Sequence, residues 1–230
     1  MANSYCQGKI YPKYHDLIRE QAYNAKQIDK GNPMYFDDLY APLGDMEEWQ
    51  VTAFAAALTE RIFPHFALYD QLLENQNVGV ARTALDKIWD NLAARGSCNT
   101  ETQMAKIEGI VHDEEDTSFG ASLAFDSLVA IMATIHCLES ASIADASGVA
   151  HLAREAIAKY LEMHVDDSMD DDELVRHIAT HELMEQELAF HVELMEKLMA
   201  MPTPKATELD VIKALGQADG VSNIGISVDK

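Results

Sequence analysis

The sequence predicts an all-α protein: a single bundle domain of about seven or eight helices around one buried central helix. Three observations predict it. The run from Ser118 to Ser140 is apolar on every side of a helical wheel, the mark of a helix covered from several directions. Most of the remaining chain divides into segments whose apolar residues recur every three to four positions, which are amphipathic helices able to cover it. Finally, 48% of the 230 residues are hydrophobic, enough for a chain of this length to bury a core without disulfides or metal staples.

The central run, SFGASLAFDSLVAIMATIHCLES, would form a helix of roughly 35 Å. A membrane span is the rival reading on length. Asp126, His136, Ser118, Ser122, Ser127 and Thr134 weigh against it, because such groups are costly in lipid. The expectation is a buried helix in a soluble fold.

Ahead of it, Asp45 and Glu48 have capping-box spacing and start a helix carrying Trp49, Phe54, Leu58 and Ile62. Pro64 is expected to end that helix and begin another, because proline removes an N–H and crowds the preceding turn. Ala84, Leu85, Ile88, Trp89 and Leu92 mark a helix from about Val80 to Ala94, and Asn99 or Thr100 caps the next. After the central run, Val149, Leu152, Ile157 and Leu161 mark a helix from about Ser147 to His164. The acidic run from Asp166 to Glu173 lacks the glycine and glutamate of a calcium loop and reads as a solvated helix start. A long helix follows from Asp171 to Ala200. A last one restarts at Thr203-Pro204 and ends near Gly216, and the tail GVSNIGISVDK is extended.

Charge divides the chain in two. Residues 1–44 hold five basic and five acidic side chains and six of the eight tyrosines; residues 45–230 hold 12 basic and 34 acidic ones, the whole net charge of −22. We read 1–44 as a tyrosine-rich N-terminal arm that packs on the body or on a neighbouring subunit, and 45–230 as the acidic helical domain. A surface this acidic repels phosphate backbones and anionic lipid, so neither nucleic acid nor membrane is an expected partner. An unidentified protein or a second copy, as in a homodimer, remains. Cys6, Cys98 and Cys137 are far apart and odd in number, and the first 16 residues contain no apolar leader core. The expected location is the cytoplasm.

One constellation carries potential chemistry. Along the long helix, Leu174, Ile178, His181, Glu185, Leu188, Val192, Met195 and Met199 follow a four-three spacing, a seam that faces a neighbouring helix. His181 and Glu185 fall at its centre, where buried polar groups need partners. Asp126 and His136 on the central helix are the nearest candidates, but ten residues put them about 15 Å apart, so one site can hardly use both. Three readings compete. His181 and Glu185 fix helix register; or with Asp126 they bind a metal between helices; or Glu185 does acid–base work with a pKa raised by burial. No Glu-x-x-His pair of the di-iron bundles occurs, and HIATH lacks the glutamate of a zinc helix. No P-loop, GxGxxG or nucleophile elbow is present, and no cofactor is expected. Catalytic residues stay unassigned, and a non-enzymatic binding or regulatory role is expected. The alternative is a metal- or small-ligand-binding enzyme centred on Glu185, His181 and Asp126.

In order along the chain, WQVTAFAAALTERIFPHFALY, LDKIWDNL, DTSFGASLAFD, EQELAFHVE and SNIGI resemble the YjaG-like family, small bacterial all-helical proteins of unknown function. The similarity runs from about residue 45 to 226. It implies a multi-helix cytoplasmic domain and supplies no activity, substrate or cofactor. The family pattern falls on Trp49, Glu60, Arg61, Pro64, Trp89, Asp126, Glu185, Glu187, Ser222, Asn223 and Gly225, and not on His181. Trp49 and Trp89 read as core, Arg61 as the partner of a carboxylate such as Asp126 or Glu185, and SNIGI as a packed terminus.

Overall fold

The structure, a computed structural model, describes residues 39–110, 116–165 and 169–228. The arm is therefore outside the described residues up to position 38. Among the described residues, a 3-10 turn at Ala41–Asp45 leads into eight α-helices: α1 Glu48–Leu72, α2 Val78–Leu92, α3 Thr100–Glu108, α4 Phe119–Ser140, α5 Ile143–Glu162, α6 Asp171–Ala179, α7 Glu182–Met199 and α8 Ala206–Gln217. One isolated antiparallel bridge joins Val221 to Ser227 in the tail. The all-α class and the eight-helix body are as expected.

The central helix forms where the apolar run placed it. Ser118 caps α4 by accepting the Ala121 N–H, satisfying one of the donors a helix start leaves free. The helix is long and apolar enough to cross a membrane, and most of it is buried inside this fold. It shares the centre with α1. Ala53, Ala55, Ala56 and Ala57 on α1 and Ala124, Ala130 and Ala133 on α4 are fully buried, and such small side chains let two backbones approach closely. Hydroxyls then bond across: Thr52 to the Cys137 carbonyl (3.0 Å), Thr59 to Thr134 (2.7 Å) and Ser127 to the Ile62 carbonyl (2.9 Å). The order of these pairs makes α1 and α4 antiparallel.

Four local expectations are corrected. The capping box uses Glu47 and Gln50 rather than Asp45 and Glu48. Pro64 does not divide the segment; α1 runs through it to Leu72. Proline deprives the Glu60 carbonyl of its usual partner, but Ile62, Pro64, His65 and Phe66 are buried and the Ile62 carbonyl accepts the Ser127 hydroxyl of α4, and packing outweighs one missing hydrogen bond. The single helix over 171–200 is two. Thr180 Oγ1 bonds back to the Arg176 carbonyl and His181 Nδ1 accepts the Leu183 N–H, closing α6 and capping α7.

The fourth correction concerns the seam. The residues of α7 that face the core are Met184, Glu187, His191, Leu194, Met195 and Leu198, while Glu185 is exposed. The expected set was out of phase with this face. Tyr40 and Leu43, assigned to the arm, are buried with the body.

Candidate functional site

The interior carries charge as well as hydrocarbon. On α1 the neighbours Glu60 and Arg61 point to different partners, as adjacent helix positions must. Glu60 is 2% exposed and receives both terminal nitrogens of Arg82 at 2.6 Å, the Trp89 indole N–H at 2.9 Å and Gln217 at 3.3 Å. It thus ties α1 to α2 and α8. Trp89 is core as expected, whereas Trp49 is half-buried against it.

Arg61 reaches Glu187 on α7, not Asp126 or Glu185: its Nε donates to Glu187 Oε2 at 2.7 Å. Glu187 and His191 are both fully buried, one turn apart, with Glu187 Oε1 at 3.2 Å from His191 Nε2. The Tyr40 hydroxyl lies 2.8 Å from His191 Nδ1. Burial acts against the Glu187 charge, but His191 and Arg61 outweigh it and hold its carboxyl below the usual range. Ionised Glu187 accepts only, so His191 Nε2 donates to it and Nδ1 accepts the Tyr40 hydroxyl proton. Burial also lowers the His191 pKa and pushes the Tyr40 phenol up to about 12. Tyr40, His191, Glu187 and Arg61 thus form one buried chain of hydrogen bonds.

Beside it, His65 is 3% exposed and its buried Nε2 has no hydrogen-bond partner among the described residues. Burial pulls its pKa down to about 4, against the opposing pull of Glu187. His151 is lowered to about 4 by burial, with Arg154 and Lys159 adding to the effect. Both imidazoles are therefore neutral when folded and protonate near 6.5 when unfolded. Their contribution is complete above about pH 6.5 and lost as pH falls towards 4, up to about 3 kcal/mol for His65 alone. Urea midpoints measured between pH 7 and pH 4.5 are expected to fall steeply; a flat profile would contradict the buried, neutral His65.

Asp126 behaves oppositely. It is 4% exposed, and burial pushes its pKa up to about 6 despite the Lys159 ammonium 2.6 Å away. Lys159 also donates to Ser122 at 2.9 Å, fastening α5 to α4. A folded pKa above the unfolded one means that Asp126 adds stability as pH falls through about 6. Asp126→Asn is therefore expected to cost about 1 kcal/mol more at pH 5 than at pH 8, measured by chemical denaturation. Equal costs at the two pH values would contradict the raised pKa.

The structure does not gather the expected trio. Asp126 faces Lys159, His181 caps α7 and Glu185 is solvent-exposed. His136 joins Asp145 at 2.5 Å instead. Among the described residues, no group of three or more His, Cys, Asp and Glu side chains is placed to hold a metal ion. Sequence reasoning missed Tyr40, His65 and His191. The last was recoverable, since Met184, Glu187, His191, Leu194 and Leu198 also follow a three-four spacing. The SNIGI tail is packed: Ser222 and Asn223 are buried, Asn223 Nδ2 bonds the Ala153 carbonyl at 2.7 Å, and Gly225 turns the chain at φ +80°.

A family model described as "Protein of unknown function (DUF416)" matches residues 38–227. The uncharacterised protein YjaG of Escherichia coli K12 is 28% identical over 200 residues, and that of Salmonella typhimurium 27% over 201. Each match covers 84% of this chain and 98% of the relative. An uncharacterised Haemophilus influenzae protein is 32% identical over 103 residues, 44% of this chain and 53% of that one. The crystal structure of a DUF416 family protein from Shewanella baltica OS155 matches with a TM-score of 0.73 at 26% identity, over 86% of this chain and 100% of the other.

Proposed function

The chain belongs to the DUF416 family, described as proteins of unknown function, and from that premise we propose that it is a non-enzymatic binding or regulatory protein of the bacterial cytoplasm. The observation that carries this reading is the fate of the buried carboxylates. Glu60, Asp70, Asp126, Asp145 and Glu187 are all buried, and each is bound by partners inside the fold: Arg82 and Trp89, the backbone and side chain of Asn77, Lys159, His136, and Arg61 with His191. A general acid or base needs a carboxyl that can exchange a proton with substrate. These carboxyls brace helices instead.

The remaining charge is mostly acidic and exposed, including Asp170, Asp171, Asp172, Glu173, Glu182, Glu185, Glu193 and Glu196. Such a surface disfavours nucleic acid and anionic membrane and suits a protein partner with a basic face. The test is a panel of ester, phosphoester and peptide substrates offered to purified protein, together with Glu187→Gln and Glu185→Ala. No turnover above background is expected. Turnover lost in either variant at an unchanged melting temperature would overturn the reading. Self-association is tested by deleting residues 1–38, which spares buried Tyr40 and Leu43. A homodimer held by the arm would then sediment as a monomer.

A further inference from the structure

Leu174, Val175 and Ile178 give α6 an apolar stripe, and most of its other residues are charged, the pattern of a helix laid on a surface. The stripe is only partly covered: α6 buries none of its residues, and Val175 is 38% exposed. Beneath it lies a second apolar cluster, separate from the main core. Ile157 and Leu161 of α5 and Met184 of α7 form it, and Ile178 packs against them. Among the described residues no side-chain hydrogen bond or ion pair ties α6 to another helix. The Glu173 N–H donates to Asp170, and the Thr180 hydroxyl donates to the Arg176 carbonyl, so both bonds are local.

The helices underneath are braced without α6. Lys159 of α5 donates to Asp126 of α4 at 2.6 Å, and Arg61 of α1 donates to Glu187 of α7 at 2.7 Å. The break between α6 and α7 is self-contained. His181 leaves helical geometry at φ −76°, ψ 142°. The Leu183 N–H donates to His181 Nδ1 at 3.2 Å and the Glu185 N–H to the His181 carbonyl at 3.0 Å. The start of α7 is thus capped by His181 rather than by carbonyls of α6, and α6 can leave without unravelling it. The His177 and His181 rings meet edge-on across the break, their centroids 5.5 Å apart. With nine residues, α6 is too short to be stable alone in water, so its order depends on the patch it covers.

We propose that α6 is a lid. It lifts as one unit about Thr180 and His181, while α5 and α7 stay in place, and bares the apolar faces of Leu161 and Met184. Only half-buried contacts are broken, so the lid opens far more often than the whole fold does. The carboxylates of Asp170, Asp171, Asp172 and Glu173 meet no ion-pair partner among the described residues, so no cation fastens its leading end. The lid stands whether or not the protein turns over a substrate.

The experiment is hydrogen exchange of the full, unsubstituted chain at neutral pH, joined by thiol labelling of native Met184→Cys, both read by mass spectrometry. Amides from Val175 to Thr180 are expected to exchange at least about 100-fold faster than those of α5 and of α7 beyond Leu188. Their rates should depend little on urea, the mark of an opening that exposes little surface. A bulky thiol reagent should modify position 184 of native Met184→Cys with the same weak urea dependence. Adding Ile178→Ser, which removes the apolar side chain packed on the second cluster, should speed that labelling at least about tenfold with the urea midpoint of the main transition nearly unchanged. Exchange of α6 no faster than that of α5, or an unchanged rate in Ile178→Ser, would overturn the lid. So would labelling at 184 that tracks global unfolding, since α6 would then fray without uncovering anything. Exchange in the unsubstituted chain decides the first outcome, so the test does not depend on either variant folding.

Discussion

Gly216→Ala is expected to destabilise the fold by about 3 kcal/mol or more, although the same change in an exposed helix gains up to about 1 kcal/mol. Gly216 lies near the end of α8, where that helix meets α1. A Cβ there would stand 2.4 Å from the Ala57 carbonyl oxygen and 3.0 Å from its C and Cα atoms. All three are backbone of a fully buried helix segment, so no rotamer change relieves them, and α8 must shift. The measurement is the urea midpoint of the variant, with Ala57→Gly as a second background. Removing the Ala57 methyl should not rescue Gly216→Ala, since the obstruction is main chain. A variant as stable as the parent would show that α8 has room to move.

Glu60→Ala should have an effect of similar size, about 3–5 kcal/mol, which is roughly a 10 °C loss of Tm for a domain of this length. Its removal leaves the Trp89 indole N–H buried without an acceptor, leaves Arg82 without its bidentate partner, and opens a cavity at the junction of α1, α2 and α8. Each of these has a separate physical cost. Glu60→Gln keeps the volume and one acceptor oxygen and is expected to lose less. Arg82 is 26% exposed, so Arg82→Ala alone should cost less than Glu60→Ala, and the two losses should not add. If they add, Glu60 stabilises the fold through Trp89 and Gln217 rather than through the ion pair.

These two residues show how unevenly the molecule can be read from its chain. Glu60 stood out through the family resemblance, and nothing in its spacing points to Arg82, 22 residues away. Gly216 looked only like the end of a helix; that it is where α8 presses on α1 is a matter of helix crossing. For Arg61 a carboxylate partner was legible, since a half-buried guanidinium needs one. Its identity as Glu187, and not Asp126 or Glu185, depended on how α7 is rotated against α1. The expected His181–Glu185 pair failed for a related reason. A three-four spacing can be drawn along more than one stripe of a helix, and the chosen stripe also crossed the break at Thr180–His181 unnoticed, because counting residues does not reveal a change of backbone direction.

What the sequence determined by itself is the class of fold, its central helix and the ends of most elements. An apolar run with no polar face can be satisfied only by burial on several sides, and Ser118 and Asn99 cap their helices by local hydrogen bonds that need no distant partner. The tertiary structure decided the rest: that α1 continues through Pro64, that α1 and α4 share the centre, and that Tyr40, His191, Glu187 and Arg61 form one chain of hydrogen bonds. Those outcomes depend on contacts between residues up to 151 positions apart. Local propensity carries no information about such pairs, because their energies arise only once the helices have been brought together and water has been excluded between them.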